Sequence, residues 1–225
     1  MPGQPTRAVE DYLKAIHSLG GADDMVSPLD IAARLGVRAP SVTGMLKRLS
    51  ESALISYEPG HGAQLTRKGV AEARRVIRRH RLVELFLTQV LGLDWSEVDV
   101  EADALEHAIS PRLEQALAAH LGEPLEDPHG HPIPTREGQL ADRKLQRLSQ
   151  FREGQCAIVR EAQDDNPERL RRWQTLGLTP GARVRILSYQ PLDDLFEVQL
   201  ADKVIMLGSE GLAGLRGELI ASNAE

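Results

Sequence analysis

The sequence predicts a protein that is mainly α with small β parts, and three observations lead to this prediction. Apolar residues recur at helical spacing through most of the first 121 residues. Two short helices joined by a tight glycine turn precede a strand, a turn and a second strand, the order of a winged helix-turn-helix. Beyond Gly154 the pattern changes to the alternation of short strands. We therefore expect an N-terminal winged helix-turn-helix, a helical middle part and a C-terminal β module.

The composition is that of an ordinary folded protein. The 225 residues include 27 basic and 33 acidic side chains, which gives a net charge of −6. Bulk charge therefore cannot hold the chain on nucleic acid or anionic lipid, and only a local basic face could do so. One cysteine, Cys156, excludes an internal disulfide and a multi-cysteine metal site. The sequence shows neither a secretion signal nor a membrane-spanning apolar run, so we expect a cytoplasmic protein.

The N-terminal helices are indicated by periodicity and by capping signals. Apolar residues at helical spacing predict a first helix over Ala8–Leu19. A second, short helix begins at the cap formed by Ser27 and Pro28 and ends at Gly36. A third helix over about 40–52 follows at once, so that only a tight turn separates the two.

A hairpin is predicted after the third helix. Leu54–Tyr57 and Ala63–Thr66 read as strands, and the segment between them contains Pro59 and Gly60. This hairpin would be the wing of the winged helix.

The third helix carries small, polar and basic side chains, the composition that a helix needs to enter the major groove of DNA. The segment Ile31–Ser50 contains no acidic residue and is locally basic within an acidic protein. A structural helix pair with solvated charges is the alternative, and the wing favours the DNA-binding interpretation. The candidate DNA-binding residues are Arg38, Pro40, Ser41, Thr43, Lys47 and Arg48.

A long amphipathic helix follows over about 70–91. Its apolar surface is wider than one small domain needs, which suggests a dimer interface. Further helices are expected over about 100–109 and 111–121. The proline-rich run 122–134 breaks regular structure, and the chain from there to Arg147 reads as a partly helical linker.

The C-terminal module is predicted from three alternating segments, which indicate short strands. These segments are 182–187, 196–200 and 204–207.

One predicted helix carries three carboxylates and an imidazole at offsets of 0, 4, 7 and 8, which places them along one stripe. Closely packed carboxylates repel one another, so the stripe is either fully solvated or neutralised by a cation. The residues are Asp99, Asp103, Glu106 and His107. On the preceding helix His80 and Glu84 are four residues apart and can converge on the same ion. Oxygen-rich ligation with imidazole and no thiolate favours Mn²⁺ or Fe²⁺.

A further histidine pair, His129 and His131, lies in the proline-rich run. The pair could ligate a metal, but its position in a loop favours a packing role.

Several of these motifs occur in an order that resembles a known family. The winged helix is followed by His80-Arg81-Leu82-Val83-Glu84, by Glu106-His107 and by Asp127-Pro128-His129-Gly130-His131-Pro132-Ile133-Pro134. This order resembles the metal-dependent regulators of the diphtheria toxin repressor and manganese transport regulator family, over Ala8–Pro134. The tail, with Leu176–Gly181 before an alternating strand, resembles the SH3-like, ferrous-transport-type module of longer family members.

The resemblance implies three domains. They are a winged helix-turn-helix DNA-binding domain at 1–72, a helical metal-binding and dimerisation domain with its linker at 73–147, and an SH3-like β-barrel domain at 148–225.

The resemblance also implies two metal sites. The primary site would consist of Asp11, Asp103, Glu106 and His107, and the ancillary site of His80, Glu84 and Asp99. Asp164, Asp165 and Glu168 of the SH3-like module are approximate matches to further ancillary ligands. Hard carboxylates at Asp11 and Asp103, where iron-type members carry methionine and cysteine, favour Mn²⁺ over Fe²⁺. Lys14 stands where short manganese regulators place another carboxylate, so their closely spaced binuclear site is not expected here.

The function that this resemblance implies is metal-dependent transcriptional regulation. A homodimer would bind a palindromic operator, with Mn²⁺ or Fe²⁺ as co-repressor and other divalent transition metals able to replace them in vitro. The regulated genes would be those of metal transport, and no enzymatic activity or membrane contact is expected.

Two other interpretations compete with this one. Dinuclear iron and manganese enzymes also array glutamate and histidine on helices, but the sequence contains no duplicated motif of that kind. A winged-helix regulator that responds to an organic effector or a protein partner would leave the carboxylate stripe merely solvated. Replacing His107 by alanine separates these interpretations, because a metal-independent regulator would keep its DNA affinity.

Overall fold

The computed structural model describes residues 5–163 and 166–221. The chain divides into two compact units. The first unit comprises Met1–His80, Asp103–Glu114 and Pro134–Leu140, and the second comprises Arg81–Ala102, Gln115–Ile133 and Ala141–Glu225.

Three helices and a two-stranded hairpin open the first unit. They are α1 (Arg7–Ser18), α2 (Pro28–Leu35), α3 (Ala39–Glu51), β1 (Ile55–Glu58) and β2 (Gly62–Leu65). The two strands pair antiparallel, with Ile55 opposite Leu65 and Glu58 opposite Gly62. The winged helix-turn-helix is therefore present, and its elements begin and end close to the predicted residues.

Local capping sets the tight turn between α2 and α3. The Ser27 hydroxyl accepts a hydrogen bond from the backbone N–H of Asp30 at 3.1 Å, which satisfies one of the free N–H groups at the start of α2. Gly36 ends the same helix with φ at 63°, a left-handed conformation that favours glycine. Because the turn is this short, α3 starts at once and lies against α2.

The core of the first unit is built from the apolar faces of these helices. Leu13, Ile31, Leu46 and Leu49 are at most 1% exposed and belong to one cluster of buried side chains. Burying an apolar side chain of this size contributes about 1.5–3 kcal/mol. Because one face of α3 is buried in this core, the opposite face of the helix is in contact with solvent.

Helix α4 (Arg67–Gln89) begins directly after the hairpin. The Thr66 hydroxyl accepts a hydrogen bond from the N–H of Gly69 at 3.1 Å. A Cβ atom on Gly69 would lie 1.9 Å from the carbonyl oxygen of Leu54, so the close approach of the two backbones requires glycine. With 23 residues α4 is long, yet no helix of the described chain has the length and apolar character needed to cross a membrane.

Much of the apolar face of α4 is covered within the subunit. In the second unit Leu82 and Leu85 pack with Ile133 in one cluster of buried side chains. Val90 and Leu91, just beyond the end of the helix, remain 45% and 56% exposed. Tertiary packing within the chain therefore buries much of this face, and the prediction that it forms a dimer interface stays a prediction.

The helical region after α4 is shorter than predicted. Helix α5 (Val98–Leu105) is followed by a 3₁₀ turn over Glu106–Ala108 and by α6 (Pro111–His120). A 3₁₀ turn advances by about 120° per residue instead of the roughly 100° of an α-helix. Residues after Leu105 therefore leave the straight stripe that the sequence predicted.

The chain from 121 to 145 contains no helix among its described residues, so the prediction of a partly helical linker is wrong. The segment instead forms turns, such as the one in which Gly138 N–H donates to the carbonyl oxygen of Thr135 at 2.9 Å.

A six-stranded antiparallel sheet dominates the second unit, and its strand order is β3-β8-β4-β5-β6-β7. The elements are β3 (Gln146–Arg147), β4 (Cys156–Ala162), α7 (Pro167–Leu176), β5 (Arg183–Gln190), β6 (Leu195–Leu200), β7 (Lys203–Gly208), α8 (Ser209–Leu212) and β8 (Leu215–Ile220). The three predicted strands correspond to β5, β6 and β7. Trp173 on α7 is 1% exposed at the centre of the core, and its indole N–H donates to the carbonyl oxygen of Gly211 at 2.8 Å.

The close backbone contact at Gly69 leads to a stability prediction. We expect Gly69→Ala to destabilise the protein by roughly 1–3 kcal/mol, because the added methyl group forces the start of α4 away from Leu54. Gly44 on α3 is the matched control, since a Cβ atom there meets nothing within 4 Å. Gly44→Ala should stabilise by up to about 1 kcal/mol through helix propensity. Thermal unfolding followed by circular dichroism compares the two, and equal midpoints would contradict the packing argument.

Candidate metal centre

Helix α1 presents three polar residues toward the 3₁₀ turn of the first unit. Glu10, Asp11 and Lys14 follow one another at positions that share one side of α1. Glu106 and His107 lie in the 3₁₀ turn and are brought beside them by the fold, although about 95 residues separate the two segments.

The strongest candidate for a metal site consists of Asp11, Glu106 and His107. One donor atom from each lies within 4.8 Å of the other two. His107 Nε2 is 2.9 Å from a carboxylate oxygen of Asp11 and 3.4 Å from Oε1 of Glu106. Glu106 is fully buried, whereas Asp11 is partly exposed. Two carboxylates and one imidazole thus converge on one point.

The orientation of His107 fits a metal ligand. Its Nδ1 lies 2.6 Å from Oε2 of Glu10, and because a carboxylate oxygen accepts, Nδ1 is the donor of this hydrogen bond. Once Nε2 has lost its proton, its lone pair faces Asp11 and Glu106. An imidazole lone pair and a carboxylate oxygen 2.9 Å apart repel each other unless a proton or a cation lies between them. A carboxylate that fixes the tautomer of a metal-binding histidine is a common outer-shell arrangement.

Glu10 is held in place by two charged partners. The residue patterns of the sequence did not predict a role for it. Its Oε1 accepts a hydrogen bond from Arg79 Nη2 at 2.7 Å, and the residue is 8% exposed. A signal was available: Glu10 precedes Leu13 by three residues and so lies on the buried face of α1. A buried carboxylate needs partners, which here are Arg79 and His107.

Asp103 does not join the Asp11 cluster as predicted. It contacts the ammonium of Lys14, which also lies 2.9 Å from Oε2 of Glu106. His107 lies in the 3₁₀ turn after Leu105 and faces Asp11, whereas Asp103 and Glu106 share the Lys14 ammonium. The four-residue primary site that the resemblance implies stays a prediction, of which the structure brings Asp11, Glu106 and His107 together and places Asp103 on the Lys14 ammonium.

The charges of these groups shift several pKa values. Burial raises the pKa of Asp11, and the nearby charge of His107 only partly offsets this. Burial opposes the charge of Asp103, but hydrogen bonding to His80 and the charge of Lys14 outweigh it and hold the pKa of Asp103 well below its usual range. For Lys14 burial lowers the pKa, and the carboxylates of Glu106 and Asp103 outweigh this effect and raise it.

The predicted ancillary ligands are distributed over both units. His80 belongs to the first unit, where its Nδ1 lies 2.6 Å from Oε2 of Glu106. Glu84 belongs to the second unit and is 3% exposed, while Asp99 is exposed in the first turn of α5. Glu168 is exposed at the start of α7. Asp164 and Asp165 lie outside the described residues.

A second cluster in the second unit involves the histidines assigned to loop packing. Asp127, His129 and His131 each offer one donor atom within 4.8 Å of the others. His129 Nε2–H donates to the carbonyl oxygen of Trp95 at 2.8 Å, so that Nδ1 faces Oε1 of Glu84 at 3.4 Å. Burial lowers the pKa of His129, but its hydrogen bond to Glu84 outweighs this and raises it.

The loop that carries this cluster is fixed against the sheet of the second unit. Ala162 N–H donates to the carbonyl oxygen of His129 at 2.9 Å. A Cβ atom on Gly130 would lie 1.8 Å from the carbonyl oxygen of Arg160, so only glycine permits this contact. Asp127 accepts hydrogen bonds from the backbone N–H groups of His129 and His131, at 2.8 and 2.9 Å. Backbone hydrogen bonds therefore hold the cluster against the sheet, in a geometry that fits packing as well as ligation.

Most of the candidate DNA-binding residues lie on the solvent-exposed side of α3 or just before its start. Val42, Leu46 and Leu49 bury one face of α3. Of the predicted set, Thr43 is half-buried, and the exposed residues are Arg38, Pro40, Ser41, Lys47 and Arg48.

The fold and the site together define a winged-helix protein with a basic recognition helix and a carboxylate–histidine centre that suits a divalent ion. Three family models match the chain: the N-terminal DNA-binding domain of iron-dependent repressors at 5–63, their metal-binding and dimerisation domain at 66–135, and the FeoA domain at 146–214. The chain belongs to the iron-dependent repressor family. It is a metal-dependent, DNA-binding transcriptional regulator, as the sequence predicted.

Individual relatives agree with this assignment. The iron-dependent repressor IdeR of Mycobacterium leprae is 34% identical over 191 residues, which are 79% of this chain and 82% of that protein. The diphtheria toxin repressor of Corynebacterium jeikeium is 36% identical over 127 residues, 56% of this chain and 52% of that protein. The solved structure of a manganese-dependent transcriptional repressor in complex with manganese has a TM-score of 0.88 at 33% identity, covering 94% of this chain and 100% of that one.

The outer-shell role of Glu10 can be tested by a conservative change. We expect Glu10→Gln to weaken Mn²⁺ binding about 10- to 100-fold, because an amide neither fixes the His107 tautomer as firmly nor raises the basicity of its Nε2. Glu72→Gln is the control, since Glu72 pairs with Arg75 on the surface of α4. Competition with a fluorescent chelator measures the affinity, and an unchanged dissociation constant in Glu10→Gln would show that Glu10 only packs.

Proposed function

We propose that the chain is a manganese-preferring repressor whose DNA affinity depends on an ion held by Asp11, Glu106 and His107. The observation that carries this proposal is the convergence of two carboxylates on an imidazole whose second nitrogen is already bonded. A divalent ion bound between these donor atoms would add positive charge next to both carboxylates. Hard oxygen donors with one imidazole favour Mn²⁺, and Fe²⁺ is the next candidate.

The position of the three ligands explains why an ion would control DNA binding. Asp11 lies on α1, which packs within the core of the winged helix, whereas Glu106 and His107 lie in the 3₁₀ turn beyond α5. Ligation by all three residues would hold α1 against that turn. The winged helix would then have one fixed position instead of several.

We propose that a homodimer uses this position to recognise a palindromic operator. The recognition helices of a two-fold dimer fit two half-sites only when they lie about 34 Å, or a multiple of that, apart. Fixing each winged helix therefore raises DNA affinity. By linkage, operator DNA tightens the binding of the ion by the same factor, typically about 5- to 150-fold.

A second ion is proposed in the second unit, beside Glu84. The ancillary site predicted from His80, Glu84 and Asp99 stays a prediction. Of the three, Glu84 is the strongest candidate ligand in the second unit, because its carboxylate is buried and needs a cation or a hydrogen-bond donor. His129 Nδ1 faces it, with the opposite ring nitrogen fixed on a carbonyl oxygen. Asp127 and His131 complete the possible donors.

The metal switch is tested by a DNA-binding titration. We expect purified protein to bind a palindromic fragment from its own upstream region with Mn²⁺ or Fe²⁺ but not with chelator, at fixed salt. His107→Ala should no longer bind the DNA more tightly when metal is added, because the substitution removes one of the three proposed ligands. His120→Ala, an exposed histidine on α6, should behave as wild type. Equal DNA binding by wild type with chelator and with metal would refute the switch and favour an organic effector or protein partner.

The DNA-binding face can be tested separately. We expect Arg48→Gln to weaken binding to all sequences and to reduce the slope of log affinity against log salt by about 1, which is the effect of losing one phosphate contact. Lys203→Gln, an exposed lysine on β7, is the control. If both variants show the same salt slope, α3 does not contact the DNA backbone through Arg48.

A further inference from the structure

Two arginines of the second unit lie directly opposite each other on neighbouring strands. Arg147 on β3 pairs in register with Arg216 on β8. Residues that are directly opposite in an antiparallel pair point to the same face of the sheet, and like charges in such a pair are destabilising. Both side chains are exposed. The sheet therefore brings two guanidinium groups together at a cost in stability.

Neither guanidinium forms an ion pair within the described part of the chain. The neighbouring strand shows the contrast, because Arg160 on β4 pairs with Glu218, with Nη2 and Oε2 2.7 Å apart. Glu161 is opposite Arg216 in the register, yet the two form no ion pair, and the charge of Glu161 acts on the buried guanidinium of Arg81. The repulsion between the two opposed arginines is thus not offset by an ion pair with a described residue.

The same two arginines line a cavity of about 270 Å³ in the second unit. Ser149, from the 3₁₀ turn over Leu148–Gln150, and Gln163, Ala213 and Gly214 complete its described lining. Every polar side chain in this lining can donate a hydrogen bond, and none is acidic. Pockets for drug-sized ligands span about 300–1,000 Å³, so this cavity suits a smaller molecule. Its size and its donors together favour a small anion.

Packing holds the backbone around the cavity in place. Leu148 and Leu215, which are the chain neighbours of the two arginines, are fully buried. The N–H of Gln163 donates to the carbonyl oxygen of Gly214 at 2.9 Å. A ligand therefore has to order the arginine side chains but not the backbone that carries them, which lowers the entropic cost of binding.

We propose that this cavity is a binding site for a small dianionic oxyanion, namely inorganic phosphate or the phosphate group of a small phosphate ester. Each guanidinium is a planar fork that can donate two parallel hydrogen bonds to phosphate oxygens. A phosphate monoester carries a charge of about −1.5 to −2 at pH 7, which two arginines neutralise. A single carboxylate has one charge and two oxygens and would satisfy only one fork. The hydroxyl of Ser149 and the amide of Gln163 are neutral donors for the remaining oxygens.

Isothermal titration calorimetry with inorganic phosphate tests this site on the full-length protein. The protein is stripped of metal on a chelating resin and kept at low, constant ionic strength, because salt screens exposed charges. Arg147→Gln and Arg216→Gln are compared with wild type and with Arg183→Gln, which changes an exposed arginine on β5 outside the cavity lining. We expect wild type to bind one phosphate per subunit and each cavity variant to bind it about 10-fold more weakly or worse.

The control and a second ligand complete the titration. Arg183→Gln should keep the wild-type affinity, and an equal loss in all three variants would show a general charge effect and no site. A hexose 6-phosphate identifies the source of the anion: tighter binding than phosphate indicates an ester, and weaker binding indicates the free ion. If wild type binds neither anion, the proposal is wrong. In that case a lower salt slope of duplex DNA binding in both cavity variants would assign the arginines to a nucleic-acid backbone.

Thermal unfolding separates ligand binding from a structural role. Without phosphate, we expect Arg147→Gln and Arg216→Gln to unfold at the wild-type temperature or slightly above it, because each change removes like-charge repulsion. Phosphate should raise the midpoint of wild type and of Arg183→Gln but not that of the cavity variants, since only a folded state that binds the ligand is stabilised. Cavity variants that unfold several degrees below wild type without phosphate would show that the arginines stabilise the fold themselves, contrary to the proposal.

Discussion

The buried carboxylate of Glu106 is the constraint on which the metal centre depends. A fully buried negative charge is costly unless positive charge and hydrogen-bond donors surround it. The first unit meets this requirement with Lys14 and His80 on one side and with His107 on the other. Because Lys14 comes from α1, the same carboxylate that attracts a cation also fastens the winged helix to the segment beyond α5. The contact between Lys14 and Glu106 therefore both neutralises the buried carboxylate and holds α1 in position.

Around this carboxylate the side chains form two layers with different tasks. Asp11, Glu106 and His107 each place one donor atom within 4.8 Å of the other two, which is close enough to hold an ion. Glu10 and Arg79 lie behind His107 and set the direction of its lone pair through a chain of two charged hydrogen bonds. The three ligands by themselves would bring negative charge together, whereas Glu10 and Arg79 also fix the orientation of the His107 ring. The proposed switch uses the second property, since it acts through the position of α1 and not only through the binding of an ion.

In the proposed function, metal sensing and DNA recognition use different faces of α1 and α3. The apolar faces of both helices meet in the core, so a restraint on α1 is transmitted to α3 through close packing. The exposed face of α3 remains free for the phosphate backbone and base edges. The sheet of the second unit has its own core around Trp173 and keeps the Gly130 loop, with His129, in a fixed position. Each of these parts therefore has a buried core of its own.

The sequence by itself determined the winged helix, because caps such as Ser27 and Gly36 and the apolar periodicity of each helix act over a few residues. The sequence also indicated the types of the candidate ligands and the family, because both are recognised from short local motifs such as Glu106-His107. Tertiary structure alone decided which carboxylates lie together. The change to a 3₁₀ turn after Leu105 and contacts across about 95 residues, such as Glu10 with His107, place Asp103 beside Lys14 instead. Sequence spacing carries no information on such long-range partners.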